Sequence, residues 1–372
     1  MESYLRRSTT SRLEEILMAN MAQAIRMALH YAEENYQLHD VFGQDVGAPL
    51  GGVFTATQGI QCAWNSPLDE RGIIGMAIGI GMAGKRCVAE IQFADYIFNT
   101  MDLLKLAGNM YWASHGQYSI PIVVMTPVGA GIRGSIYHSH SFDSWASRLP
   151  GWKIVLPSNP LDAYGLLLSS ILDPNPVLFL PPKALMRVKG KELIPGEPED
   201  EKELKAMIDA PIGDRTQWKP RWPRLKEYLI PLGKGRIVKE GNRVTLVTWG
   251  RYVGICEQVI DDLIASAMID STDVELIDLR SIYPYDWPLI KESVKKTRKV
   301  LFVNEDTEVT NFAEHLSYRV TKELFYELWA PPQVIAGRHV PGIGLHPNLE
   351  DASVPGADEI KKVIIALIQE VP

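Results

Sequence analysis

Residues 120–126 read Ile-Pro-Ile-Val-Val-Met-Thr, an apolar run of strand length with no polar alternation. A strand with one face in water alternates polar and apolar residues. One that is apolar throughout is covered on both faces, as in a parallel sheet layered between helices. The neighbouring stretches fit that constraint. Residues 41–43, 86–93, 152–156 and 177–180 read as further strands, and 12–36, 72–83, 94–109 and 161–172 read as helices between them. Ser158 or Asn159 can cap the helix at 161–172, with Pro160 tolerated in its first turn. Strands alternating with helices predict an α/β fold built on a parallel sheet.

The character changes between Lys189 and Pro231, where charge, proline and tryptophan accumulate. A long stretch without period is a linker or a functional loop, and its acidic run reads as solvated surface. A second α/β unit begins near Arg236. Its expected strands are 244–249, 274–278, 299–304 and 333–336, and its expected helices are 251–267, 287–296, 311–329 and 358–368. The expected division is therefore a first domain over 1–188, a connector or insertion over 189–235, and a second domain over 236–372.

A formal net charge of −7 argues against nucleic acid as a partner, because phosphate neutralisation needs a basic face. Cys62, Cys87 and Cys256 are far apart and form no CxxC, so neither a disulfide framework nor a zinc site follows, and a reducing compartment fits. The first residues lack the apolar core of a signal peptide, and their acids count against an organellar transit peptide. The longest weakly polar run, 72–84, is too short and too glycine-rich to span a membrane.

The densest chemistry lies in 66–102. Glu70 precedes an uncharged run, and desolvation there would favour its protonated form. A carboxyl that can share a proton with a ligand nitrogen is a catalytic tool. The plainer reading is that Asp69 and Glu70 simply suit the positive end of a helix. Glycines at 72, 75, 79, 81 and 84 each cost a helix up to ~1 kcal/mol against alanine, which suggests packing against a second subunit or a cofactor. Upstream, residues 44–47 and the Gly51-Gly52 pair follow a strand end. That is where α/β folds place ligands, although a tight turn would need the same glycines.

Several segments together resemble one family over nearly the whole chain: FGQDVG at 42–47, GGVF at 51–54, SPLDERGIIG at 66–75, AEIQFADYIF at 89–98, YHSHS at 137–141, LPGWKIVLPSNPLDAYGLL at 149–167, DPNPVLF at 173–179, VELIDLRSIYPYD at 274–286 and EVTNFAEH at 308–315. The chain resembles the β subunits of thiamine diphosphate-dependent 2-oxo acid dehydrogenases, the decarboxylating E1 components of large dehydrogenase complexes. AEIQFADYIF and the His-Ser-x-Ser segment are specific when found in this order, and look closer to branched-chain and acetoin-type members than to the pyruvate type. The resemblance implies a pyrimidine-binding parallel-sheet domain of the thiamine diphosphate-binding fold, followed by a transketolase C-terminal-like α/β domain. It also implies that the cofactor is shared with an E1 α subunit that holds its diphosphate and Mg2+ through a Gly-Asp-Gly motif. This chain contains no Gly-Asp-Gly. The implied assembly is an α2β2 heterotetramer working with an E2 lipoyl acyltransferase core on a 2-oxo acid. Its expected place is the cytoplasm of a bacterium, or the mitochondrial matrix in a eukaryote, with no membrane partner.

Residue by residue, the resemblance puts Glu70 where the family glutamate bonds the aminopyrimidine N1′ and activates the cofactor. Tyr96 matches the aromatic that stacks on the pyrimidine, and Leu68 and Gln92 line that pocket. His138 matches the histidine that faces substrate and the incoming lipoyl group. Asp173 and Asn175, with the backbone of 120–123, match a structural potassium site of some members. Three departures stand out: Gln44 for the usual glutamate, His140 for the glutamine of HSQS, and a longer 189–231 segment, read as a plain insertion before a docking loop. On extended backbone His138 and His140 would face the same way, as in a metal pair, but no third ligand is evident. Branched-chain 2-oxo acids of the 3-methyl-2-oxobutanoate type are the first expectation for substrate, with pyruvate or an acetoin-type role second. A transketolase or deoxyxylulose-phosphate synthase would carry its diphosphate domain in the same chain. A catalytically silent β subunit would fit Gln44 but not the retention of Glu70 and His138.

Overall fold

The computed structural model describes residues 18–211, 213 and 218–370. The first half runs α1 (Met21–Asn35), β1 (Leu38–Gly43), β2 (Ala63–Asn65), α2 (Glu70–Met82), β3 (Arg86–Glu90), a 3-10 turn at Ala94–Thr100, α3 (Met101–Ala113), β4 (Ile122–Met125), the short α4 (Asp143–Ala146), β5 (Lys153–Val155), α5 (Pro160–Leu172), β6 (Val177–Phe179) and α6 (Glu201–Ile208). The second half runs β7 (Arg236–Lys239), β8 (Val244–Thr248), α7 (Arg251–Ala265), β9 (Val274–Asp278), β10 (Ser281–Tyr283), α8 (Trp287–Thr297), β11 (Val300–Thr307), α9 (Phe312–Leu324), β12 (Gln333–Gly337), α10 (Pro347–Ser353) and α11 (Ala357–Gln369).

Local chemistry sets the helix starts. α1 opens at a capping box in which Asn20 accepts from the Gln23 amide and Gln23 bonds back to the Asn20 amide. The expected helix from residue 12 therefore starts at 21; positions 12–17 lie outside the described residues. Asn159 caps α5 through the Asp162 amide at 2.9 Å, as expected. The expected helix over 94–109 divides into the 3-10 turn and α3, because the turn carries Tyr96 and Phe98 into a loop cluster.

The first sheet has the strand order β10-β5-β6-β4-β3-β1-β2 and is parallel except for β10. The second has the order β12-β11-β8-β9-β7, with only β7 antiparallel. As the 120–126 run requires, β4 is buried at every residue. Its side chains alternate between two cores. Val123 and Met125 pack with α1 and α5, while Ile122 and Val124 pack with α2 and α3.

Two features depart from a simple two-domain reading. β10 belongs in sequence to the second half, yet it pairs antiparallel with β5 of the first sheet. One apolar core also runs through both halves, from Phe42 and Ile122 to Val247 and Phe302. The described residues of the 189–235 segment form a strap on the first domain. They form α6, which buries Leu204 and Ile208, and they stack Trp222 on His30 with centroids 4.3 Å apart. Arg26, 2% exposed, donates to the Ile208 carbonyl at 2.7 Å and pairs with Asp209.

Candidate active site half

The strand order places four carboxyl ends side by side. Gly43, Glu90, Met125 and Phe179 end β1, β3, β4 and β6 in matched register. The loops that follow therefore converge over one edge of the sheet, where open α/β sheets bind ligands. Every residue singled out from the sequence for the cofactor or the substrate follows one of these strands or the neighbouring β2.

Glu70 is the first residue of α2 and is half-buried. One carboxylate oxygen accepts from Asn99 Nδ2 at 3.2 Å, and the other has no hydrogen bond among the described residues. Arg71 grips Asp102 with two hydrogen bonds, at 2.6 and 2.9 Å, and donates to the Asn99 carbonyl at 2.8 Å. That clamp ties the start of α2 to the start of α3. Burial pushes the Tyr96 phenol pKa up, and the charges of Asp95 and Glu70 add to it. Leu68 is 69% exposed beside Glu70.

The structure joins two residues that the sequence had assigned separate tasks. Tyr96 Oη lies 2.7 Å from His138 Nε2, and His138 Nδ1 lies 3.0 Å from the Gly134 carbonyl. A carbonyl only accepts, so Nδ1 carries the proton and Nε2 accepts from the phenol. Phe93 presents its ring to His138 at 80°, with centroids 4.5 Å apart. Gln92 donates to the Gln44 carbonyl at 3.3 Å, drawing the 44–54 loop toward β3.

His138 and His140 do not face the same way. His138 has φ −142° and ψ 21°, outside the extended backbone that parity requires. His140 turns to the edge of Phe98, and burial lowers its pKa. No cluster of three metal-ligating side chains exists among the described residues, so the paired-histidine metal reading has no third ligand. Asp173 accepts from the Lys153 ammonium and from the Asn175 amide at 3.0 Å.

Glu90 is a site residue that the sequence reading passed over within AEIQFADYIF. It ends β3 at 3% exposure, and burial pushes its carboxyl up to about 7. One of its oxygens has no hydrogen-bond partner among the described residues. Gly52, at φ +78°, lies directly on this carboxyl, and an added Cβ would meet both oxygens at 3.1 Å. Gly51-Gly52 is thus a close backbone approach to a buried acid. The signal was available as a carboxylate that closes a strand directly after the apolar Cys87-Val88-Ala89.

α2 is buried on one face only. Ile73, Ile74, Ala77 and Ile78 point into the core, and Gly81 abuts Ile122. A Cβ added at Gly75 or Gly79 would meet nothing within 4 Å, and Met76 and Met82 are exposed beside them. Leu106, Tyr111 and Trp112 of α3 are exposed as well, Trp112 at 87%. The glycines therefore open a surface next to Glu70 and pack against little inside this chain.

Comparison with known proteins matches the two halves separately. Residues 18–189 match the family described as "Transketolase, pyrimidine binding domain", and 233–360 match "Transketolase, C-terminal domain". Full-length relatives decide the family. The "2-oxoisovalerate dehydrogenase subunit beta, mitochondrial" of Dictyostelium discoideum is 36% identical over 87% of this chain and 80% of its own length. The "Pyruvate dehydrogenase E1 component subunit beta" of Acholeplasma laidlawii is 36% identical over 85% of this chain and 88% of its own. The chain belongs to the E1 β-subunit family of 2-oxo acid dehydrogenases. Among bacterial relatives, the "2-oxoisovalerate dehydrogenase subunit beta" of Bacillus subtilis is 32% identical over 93% of this chain and 97% of its own. A solved structure titled "Split gene transketolase, inactive beta4 tetramer" shares the fold, with a TM-score of 0.66 over 95% of this chain and 99% of its own at 15% identity. This E1 β chain is accordingly an oxidoreductase subunit of a thiamine diphosphate-dependent family, and its family implies an α partner. No described helix is long and apolar enough to cross a membrane.

Proposed function

We propose that this E1 β subunit supplies the pyrimidine-side half of an active site for oxidative decarboxylation of a branched-chain 2-oxo acid, with acyl transfer to lipoyl groups of an E2 core. The observation that carries the reading is the Glu70, Tyr96 and His138 constellation at one edge of the sheet. Glu70 has a carboxylate oxygen without a partner among the described residues, which fits an N–H or shared-proton contact to an aminopyrimidine. When bound, thiamine diphosphate supplies the electron sink that makes loss of carbon dioxide from a 2-oxo acid feasible.

Within this chain Glu70 presents to the aminopyrimidine the carboxylate oxygen that Asn99 leaves free among the described residues. Leu68, Gln92 and Tyr96 are the residues the proposal assigns to the pyrimidine pocket beside it. Tyr96 and Gly134 fix His138 with Nε2 as the acceptor, so the imidazole is ready to take or return a proton at that atom. The open face of α2 and α3 beside Glu70 suits an α subunit that completes the site, in an α2β2 heterotetramer. That α subunit would bind the diphosphate and Mg2+. Potassium at Asp173 and Asn175 forms no part of the proposal, because Lys153 already neutralises Asp173.

Pyruvate is the second reading, since relatives bearing either name match at 36% identity. The test is reconstitution with the cognate α subunit and a substrate panel spanning 3-methyl-2-oxobutanoate and pyruvate. The branched substrate should give the higher kcat/KM. Glu70→Gln should lower kcat by at least about 100-fold, the range of general acid–base catalysis. Full activity of Glu70→Gln would sink the role given to Glu70, and a preference for pyruvate would transfer the assignment to the second reading.

A further inference from the structure

Lys183 lies in the turn after β6, outside everything the sequence reading singled out. Its side chain is fully buried, with Nζ 3.7 Å from Asp95 and 3.5 Å from the Pro127 carbonyl. The same ammonium sits over the Phe93 ring at 5.5 Å, and Phe93 is the ring that meets His138. Asp95 in turn accepts the His140 amide at 3.1 Å. The His140 carbonyl is held by the Gly129 amide at 2.9 Å. Both peptide groups of His140 are thereby fixed, two residues beyond His138.

Burying an ammonium and a carboxylate is costly, and an apolar pair of similar volume often serves stability as well or better. Burial draws the Lys183 pKa down to about 8 even though Asp95 and Glu305 pull it back up. A pair held at such a cost, one bond from the loop that carries His138, has a geometric use. We propose that Asp95 is a positioning residue that sets the 134–141 loop, and with it the His138 imidazole, relative to Tyr96, with Lys183 as its buried counter-ion. The proposal rests on the reading of His138 as the substrate-facing histidine. Asp95 acts through the His140 amide. Lys183 neutralises the buried Asp95 carboxylate.

The test compares two double variants of the full chain in complex with its α subunit, Asp95→Asn/Lys183→Met and Asp95→Ala/Lys183→Met. Both remove the two charges, but only asparagine keeps an oxygen for the His140 amide. The asparagine pair should stay within about threefold of wild type in kcat/KM, and the alanine pair should fall roughly 10- to 100-fold, the scale of a small misplacement of a reacting group. Thiamine diphosphate affinity should be unchanged in both, because Glu70, Gln92 and Tyr96 are untouched. Rates are taken per bound cofactor, so a purely structural defect cancels. Equal kcat/KM for the two double variants would overturn the proposal. Hydrogen exchange in the 134–141 peptide of the full chain provides a readout without turnover, with the His140 amide expected to exchange faster in the alanine pair. If the wild-type complex decarboxylates no 2-oxo acid, the functional reading of His138 fails by itself. The exchange comparison then decides the loop-holding role, and equal exchange refutes it.

Discussion

Replacing Glu90 with glutamine should remove a pH dependence from the stability of the chain. Glu90 is 3% exposed, and burial raises its carboxyl from an ordinary 4.5 to about 7. Between those two values the unfolded chain has released this proton while the folded chain keeps it. The folded state then binds more protons, so its stability falls as pH rises through the window and the loss is complete above about 7. At about 1.4 kcal/mol per pH unit the gap is worth about 3 kcal/mol. In Glu90→Gln the side-chain oxygen can still accept from the Val53 amide, the contact that partly offsets burial in the native acid. The new NH2 meets the position where Glu90 has no partner, at a cost of about 1–3 kcal/mol if it finds no acceptor. That cost does not vary with pH. The decisive quantity is therefore how the difference between variant and wild type changes with pH. Urea denaturation of the full chain from pH 4 to 8.5 should show Glu90→Gln gaining on wild type by up to about 3 kcal/mol as pH rises. Parallel curves across that range would refute the assignment of Glu90 as a buried, protonatable acid.

Two further outcomes follow from the packing. Arg26→Met should destabilise the chain by about 3 kcal/mol, the lower end for a broken buried pair because Asp209 is one-third exposed. A urea midpoint shift corresponding to under about 1 kcal/mol would show that the 189–235 strap gains little from this anchor. Gly79→Arg adds a side chain where an added Cβ meets nothing within 4 Å. It should leave the stability of the chain within about 0.5 kcal/mol of wild type while abolishing co-purification with the α subunit. Undiminished co-purification would place the α subunit elsewhere.

Much of the fold was legible because its signals are local. The apolar run at 120–126 demanded cover on both faces, and β4 lies between two helical layers. Asn159 and Pro160 marked the start of α5, and the cap is present. The 189–235 strap was not legible. Its anchors, Trp222 on His30 and Asp209 on Arg26, are sparse and contact distant residues, so no period betrays them. β10 was missed for the same reason. Three residues paired across the domain boundary leave no signature in their own sequence.

At the site, the sequence by itself determined which residue types are present and in what order: Glu70, Gln92, Tyr96 and His138. Only the tertiary structure decided which of them touch. It bonded Tyr96 to His138, turned His140 away, gave Asp173 to Lys153, and set Glu90 under Gly52. The physical reason lies in range. Propensity and apolar patterning act over a few residues and can be read along the chain. Hydrogen-bond partners, desolvation and ion pairing depend on where the sheet order brings distant strand ends together.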